Sequence, residues 1–116
     1  MKSVAALAIA VALGAAGPAF ALSPNEAEAA LRTTIIDLQT GNPDYTTMTP
    51  PIAEAIRTHA DVAQQLAALG PPTMIVVGKK SDPFTFVVTF ESGAVMNWTI
   101  SFTAAGKINS LDATGK

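Results

Sequence analysis

The apolar positions of this chain change their period twice, and each change marks a boundary. Val4 to Gly14 is an unbroken apolar run. From Ser23 onward the apolar residues recur at helical spacing, with Ala27, Leu31, Ile35 and Leu38 on one stripe that Ala30 and Thr34 fill out. Ser23-Pro24 ahead of Asn25, Glu26 and Glu28 reads as a helix start, with a serine cap, a proline in the first turn and carboxylates near the positive dipole end. Gly41-Asn42-Pro43-Asp44 should stop this helix, being dense in breaker and turn residues. Thr49-Pro50-Pro51 opens a second helix in which Ile52, Ile56, Ala63 and Leu66 share a face widened by Val62 and Leu69, and Gly70-Pro71-Pro72 ends it.

Beyond Pro72 the period falls from about 3.6 to 2. Phe84, Phe86, Val88 and Phe90 alternate with Thr85, Val87, Thr89 and Glu91; Met96, Trp98, Ile100 and Phe102 then alternate with Asn97, Thr99 and Ser101. This predicts two half-buried antiparallel strands joined by a hairpin at Glu91-Ser92-Gly93-Ala94. Ala104-Ala105-Gly106 supplies the next turn, with Gly106 in the left-handed position. Met74 to Lys79 is a short apolar run rather than a clean alternation, which predicts a strand nearer the sheet centre or packed on both faces. Ile108 and Leu111 are out of phase for one flat face, which predicts a bulge in the last strand.

The expected fold is α+β: two main N-terminal helices, about residues 24–40 and 51–69, on one face of a four-stranded antiparallel meander. The strands should span about 73–79, 84–91, 95–103 and 107–112. The Phe and Trp positions face the helices. The opposite face carries Thr85, Val87, Thr89, Asn97, Thr99 and Ser101, a mildly apolar surface suited either to solvent or to a docked partner.

The opening run reads as a secretory signal peptide over residues 1–21. Lys2 gives it a positive start, Gly17 and Pro18 break any helix, and Ala19-Phe20-Ala21 matches a small-x-small cleavage site, so the mature chain is expected to begin at Leu22. A membrane anchor is the competing reading, but the run is rich in Ala and Gly and is interrupted where a spanning helix should continue. No cysteine follows to carry a lipid. The expected product is exported, periplasmic or secreted, and free of the membrane after cleavage.

Composition narrows the classes. The positive mean hydropathy is largely the leader's own. After Ala21 only Arg32, Arg57, Lys79, Lys80, Lys107 and Lys116 stand against nine carboxylates, which leaves no basic stripe for nucleic acid. Without cysteine there is neither a disulfide framework nor a thiolate metal site. Roughly 95 residues make one small domain held by an ordinary apolar core.

Candidate chemistry is thin. None of Ser23, Ser81, Ser92, Ser101 and Ser110 precedes a lysine by three residues, and no Gly-x-Ser-x-Gly elbow occurs. His59, the only histidine, has Ala55, Ile56, Val62 and Ala63 at helical spacing, which predicts a structural residue at the core boundary. One histidine without cysteine makes a poor transition-metal site, so no metal and no cofactor are expected. Asp44 should bond backbone amides of its turn, and Tyr45 should lay its ring on the core with the hydroxyl outward; these two also offer a pocket acid and phenol. Trp98 lies in the inward alternation and reads as core. No catalytic residue is assigned.

Leu31-Arg32 through Leu38, Gly41-Asn42-Pro43-Asp44-Tyr45, Met48-Thr49-Pro50, Leu69-Gly70-Pro71, Phe90-Glu91-Ser92-Gly93, Trp98-Thr99-Ile100 and Ala105-Gly106-Lys107-Ile108 cover nearly all of the mature chain. Together they resemble a small bacterial domain of the cystatin-like, nuclear-transport-factor-2-like superfamily. The resemblance implies a helical layer wrapped on a curved antiparallel sheet. Such domains occur as free exported proteins and as accessory modules behind beta-lactamase-type serine hydrolases or α/β-hydrolases. Asn97 stands where an acidic residue often precedes the tryptophan. The resemblance implies no chemistry, because its recognisable residues are turn and core positions.

The leading expectation is a non-enzymatic exported module that binds a protein partner or a second copy through its sheet face. Two alternatives stay open: a small-ligand binder or cofactor-free enzyme with a pocket near Tyr45 and His59, and a stand-alone relic of a hydrolase accessory domain.

Overall fold

A computed structural model describes residues 8–12 and 22–115. Lys2, Gly17-Pro18 and the Ala19-Phe20-Ala21 cleavage site lie outside the described residues. Helix α1 (Pro24–Thr40) begins with a full capping box: Ser23 Oγ accepts from the Glu26 amide, and a Glu26 carboxylate oxygen accepts from the Ser23 amide. It ends at Gly41, whose φ of 79° closes the helix in the left-handed conformation. Ala27, Leu31, Thr34, Ile35 and Leu38 are buried along it, as the periodicity predicts. Thr34 satisfies its hydroxyl by donating to Ala30 O at 2.8 Å.

The second helix is divided. Helix α2 (Pro50–Thr58) and helix α3 (Ala60–Ala67) meet at His59, whose backbone at φ −109°, ψ 49° leaves the helical region. The single helix expected over 51–69 is corrected on this point. The break turns α3 so that Leu66 and Leu69 still reach the core, while Ala53 joins Ile52 and Ile56 under α2. His59 itself is exposed rather than at the core boundary, because it occupies the corner.

Strands β2 (Pro72–Val77), β3 (Phe84–Phe90), β4 (Val95–Phe102) and β5 (Ile108–Gly115) pair consecutively and antiparallel. The fold is therefore α+β, with the helices on one face of an antiparallel meander. Trp98, Phe84, Phe86 and Phe90 are buried between sheet and helices, each such side chain contributing about 1.5–3 kcal/mol. Phe102 meets Phe84 edge-on, with ring centroids 6.3 Å apart. Gly93 and Gly106 take positive φ in the two hairpin turns. At Gly70, φ is +80° and a Cβ would stand 2.9 Å from Glu91 Cβ, so glycine is required both for the conformation and for the close approach.

Three features depart from or refine the sequence reading. The predicted bulge exists: the register shifts between Ser101 and Phe102, so Ile108 and Asn109 are buried in succession, and Ser101 Oγ donates to Asn109 Oδ1 at 2.7 Å. Strand β2 is not central. It forms the sheet edge, with Ile75 and Val77 half-buried and Met74 and Val76 exposed, because a meander puts its first strand outermost. A fifth strand, β1 (Ala8–Ala12), lies within the segment read as the leader and pairs antiparallel with β5. Its sequence, Ala-Ile-Ala-Val-Ala, has the period of a strand as well as the composition of a leader. Among the described residues no helix is long and apolar enough to cross a membrane.

Candidate functional site

Two surfaces gather the residues singled out in the sequence. The first is the outer sheet face. Thr85, Val87, Thr89, Thr99 and Ser101 are half-buried on it and Asn97 is exposed, as the alternation requires. Register places Val76 beside Val87, Met74 beside Thr89, and Thr89 beside Val95. Met74 and Val76, 56% and 50% exposed, thus extend the face into an apolar band at its β2 side. The sequence reading missed both, since a strand taken as central has no solvent face. The sequence carries no signal for their exposure, because Met74, Ile75, Val76 and Val77 are all apolar and only the strand's place at the sheet edge separates the two faces.

The second surface is an open groove of about 490 Å³ where the end of α1 meets α2 and α3. Leu38, Ile56 and Ala63 line it on the apolar side, and Gln39, Tyr45 and Arg57 supply the polar groups. The Arg57 guanidinium carbon sits 4.3 Å above the Tyr45 ring, and Arg57 Nη1 lies 3.5 Å from Glu54 Oε1. The groove's one cation is thus already held by a ring and a carboxylate on the protein surface. Of the expected pocket pair, Tyr45 lines this groove and His59 does not; His59 Nδ1 faces the Ala55 carbonyl at 3.2 Å. Arg57 takes the place expected of His59, and no sequence motif announces a guanidinium over a phenol.

Asp44 caps the 3₁₀ turn Tyr45–Thr47, accepting from both the amide and the hydroxyl of Thr46. Lys107 Nζ donates to Thr46 O at 2.6 Å, tying this turn to the last hairpin. The Thr46 hydroxyl first, then its amide, and then the charge of Lys107 hold the Asp44 carboxyl below its ordinary value. A lowered folded pKa gives stability that is present above the unfolded value and lost as pH falls through the folded one. Urea melts of the wild type and Asp44→Asn should therefore differ more near about pH 6 than near about pH 2.5. An equal difference at both would remove the charge from the account of this turn.

Chemically the groove can bind but lacks a nucleophile and base in contact. Among the described residues, no three histidine, cysteine, aspartate or glutamate side chains gather into a metal site. Leu22, the expected first residue of the mature chain, is half-buried against the core. No known protein family, curated protein or solved structure matches the chain.

Proposed function

We propose that the chain is an exported, non-enzymatic module that binds a protein partner, or a second copy of itself, through the outer face of its sheet. The observation that carries this reading is the band formed by Met74, Val76 and Val87, continuous with a threonine-lined face. Most outward positions of an antiparallel sheet in water are polar, and here the outermost strand offers its two largest outward side chains as apolar ones. The cystatin-like, nuclear-transport-factor-2-like assignment belongs to the same proposal, supported by helices laid on one face of an antiparallel meander.

Lysine at Val76, which is exposed, should leave the fold within about 0.5 kcal/mol of wild type, and lysine at the half-buried Val87 should cost about 1 kcal/mol. Each should also dissociate the complex formed by the exported protein. Gel filtration and native mass spectrometry of the two variants provide the check. A wild-type protein that runs as a lone monomer, or variants that keep the complex, would count against the face.

A second reading rests on the groove beside Tyr45, whose apolar floor of Leu38, Ile56 and Ala63 suits a small, largely apolar ligand. Trp98 does not line that groove, so its observation requires a probe at Tyr45.

A further inference from the structure

The two edges of the meander are built differently. On β2 the edge begins at Pro72, which has no amide to donate, slips register between Pro72 and Met74, and stops at Gly78 before Lys79-Lys80. These are the devices that discourage a further strand: a proline, an irregularity and a pair of lysines. β5, Ile-Asn-Ser-Leu-Asp-Ala-Thr-Gly, has neither proline nor lysine. Its edge is occupied at the start, where Met48 bridges Ile108 and the Thr49 amide donates to Ile108 O at 2.9 Å. From Ser110 onward the strand on it is β1.

The register of that pairing is complementary. Ala12, Ala10 and Ala8 stand opposite Ser110, Asp112 and Thr114, the outer-face positions of β5. Val11 and Ile9 stand opposite Leu111 and Ala113, both fully buried on the inner face. The register pairs alanine positions of β1 with polar positions of β5 and branched positions with apolar ones, so a slip of one residue would exchange the two sets.

We infer that the β5 edge from Ser110 to Thr114 is a strand-acceptor site, filled within the full chain by Ala8–Ala12. Once the chain is cut after Ala21, the edge takes an extended antiparallel segment of another protein that alternates small with β-branched apolar residues. The main chain supplies the attraction and the alternation supplies the choice. This edge is a different surface from the outer face, so the two can fail separately.

The experiment uses the full chain and its Ile9→Pro, Ala10→Pro double variant. Successive residues of an antiparallel strand alternate in bonding across, so two adjacent prolines must break the pairing. Amide hydrogen exchange along Asn109–Thr114 should be at least about tenfold faster in the double variant. A synthetic peptide of residues 4–14, added in trans at up to about 1 mM, should restore the protection; its proline counterpart should not. Equal exchange in the two chains, or no restoration by the peptide, would overturn the site. Protection in the double variant that instead rises with protein concentration, with doubled mass by native mass spectrometry, would overturn the proposed occupant in favour of a second copy.

Discussion

Replacing Trp98 with alanine is expected to cost about 3–5 kcal/mol, the largest loss from any single change considered in this chain. Trp98 is fully buried in β4, with Phe86 and Ala113 as its cross-strand neighbours on β3 and β5. Its removal opens a cavity at the centre of the sheet, where the β4 backbone is held on both sides and has little room to collapse. A small domain has about 5–15 kcal/mol in total, so the alanine variant can fall below the folding threshold. Trp98→Phe keeps the measurement informative. The indole N–H has no hydrogen-bond partner among the described residues, and burying such a group costs about 1–3 kcal/mol. Phenylalanine loses volume but also loses that unpaired donor, so its net cost should stay under about 2 kcal/mol. Urea unfolding followed by far-ultraviolet circular dichroism compares the three proteins. An alanine variant within about 1 kcal/mol of wild type would contradict the central place given to this ring.

Gln39→Glu should be the second most damaging change, although Gln39 is only half-buried. Its amide nitrogen donates to Leu66 O at 2.9 Å and to Gly70 O at 2.7 Å, joining the last turn of α1 to the carbonyls at the end of α3. Leu66 O already accepts from the Leu69 amide at 3.1 Å, so Gln39 adds a second bond there and also ties down Gly70 O in the turn beyond the helix. A carboxylate in the same place has no proton to give and turns its charge toward two carbonyl oxygens, so about 2–3 kcal/mol should be lost at neutral pH. Only the protonated carboxyl can donate there, so the introduced group's folded pKa is raised. A raised acid pKa puts the penalty at high pH, and it fades as pH falls through that value. Gln39→Ala removes the donors without the charge and should lose about 1–2 kcal/mol at every pH. Melts at about pH 7 and pH 4.5 separate the two variants, and parallel behaviour would show that the carboxylate swings clear of the carbonyls.

Much of the fold is legible in the sequence where one periodicity governs one element. Ala27, Leu31, Ile35 and Leu38 are all buried on α1, and every inward Phe and Trp from Phe84 to Phe102 is in the core. The phase conflict between Ile108 and Leu111 announces the bulge that the register contains. The break at His59 has no such announcement, because Ile56, Val62, Ala63 and Leu66 keep a helical spacing across it and neither Gly nor Pro stands there. Exposure of Met74 and Val76 depends on which strand is outermost, a property of strand order that a local apolar run does not encode. The groove is less legible still. Tyr45 and Arg57 are twelve residues apart and meet only through the turn of the chain around Pro43 to Thr49.

The register of β1 on β5 also has a temporal side. Ala8 pairs with Thr114, so the first strand of the chain waits for the last, across about a hundred residues. At synthesis rates of about 5–20 residues per second, β1 stays without its partner for roughly 5–20 seconds. The other strand pairs are neighbours in sequence and close with far shorter loops. Sequence order thus sets a clock: throughout elongation Ala8–Ala12 has no strand to pair with, and only a completed chain can fold it away.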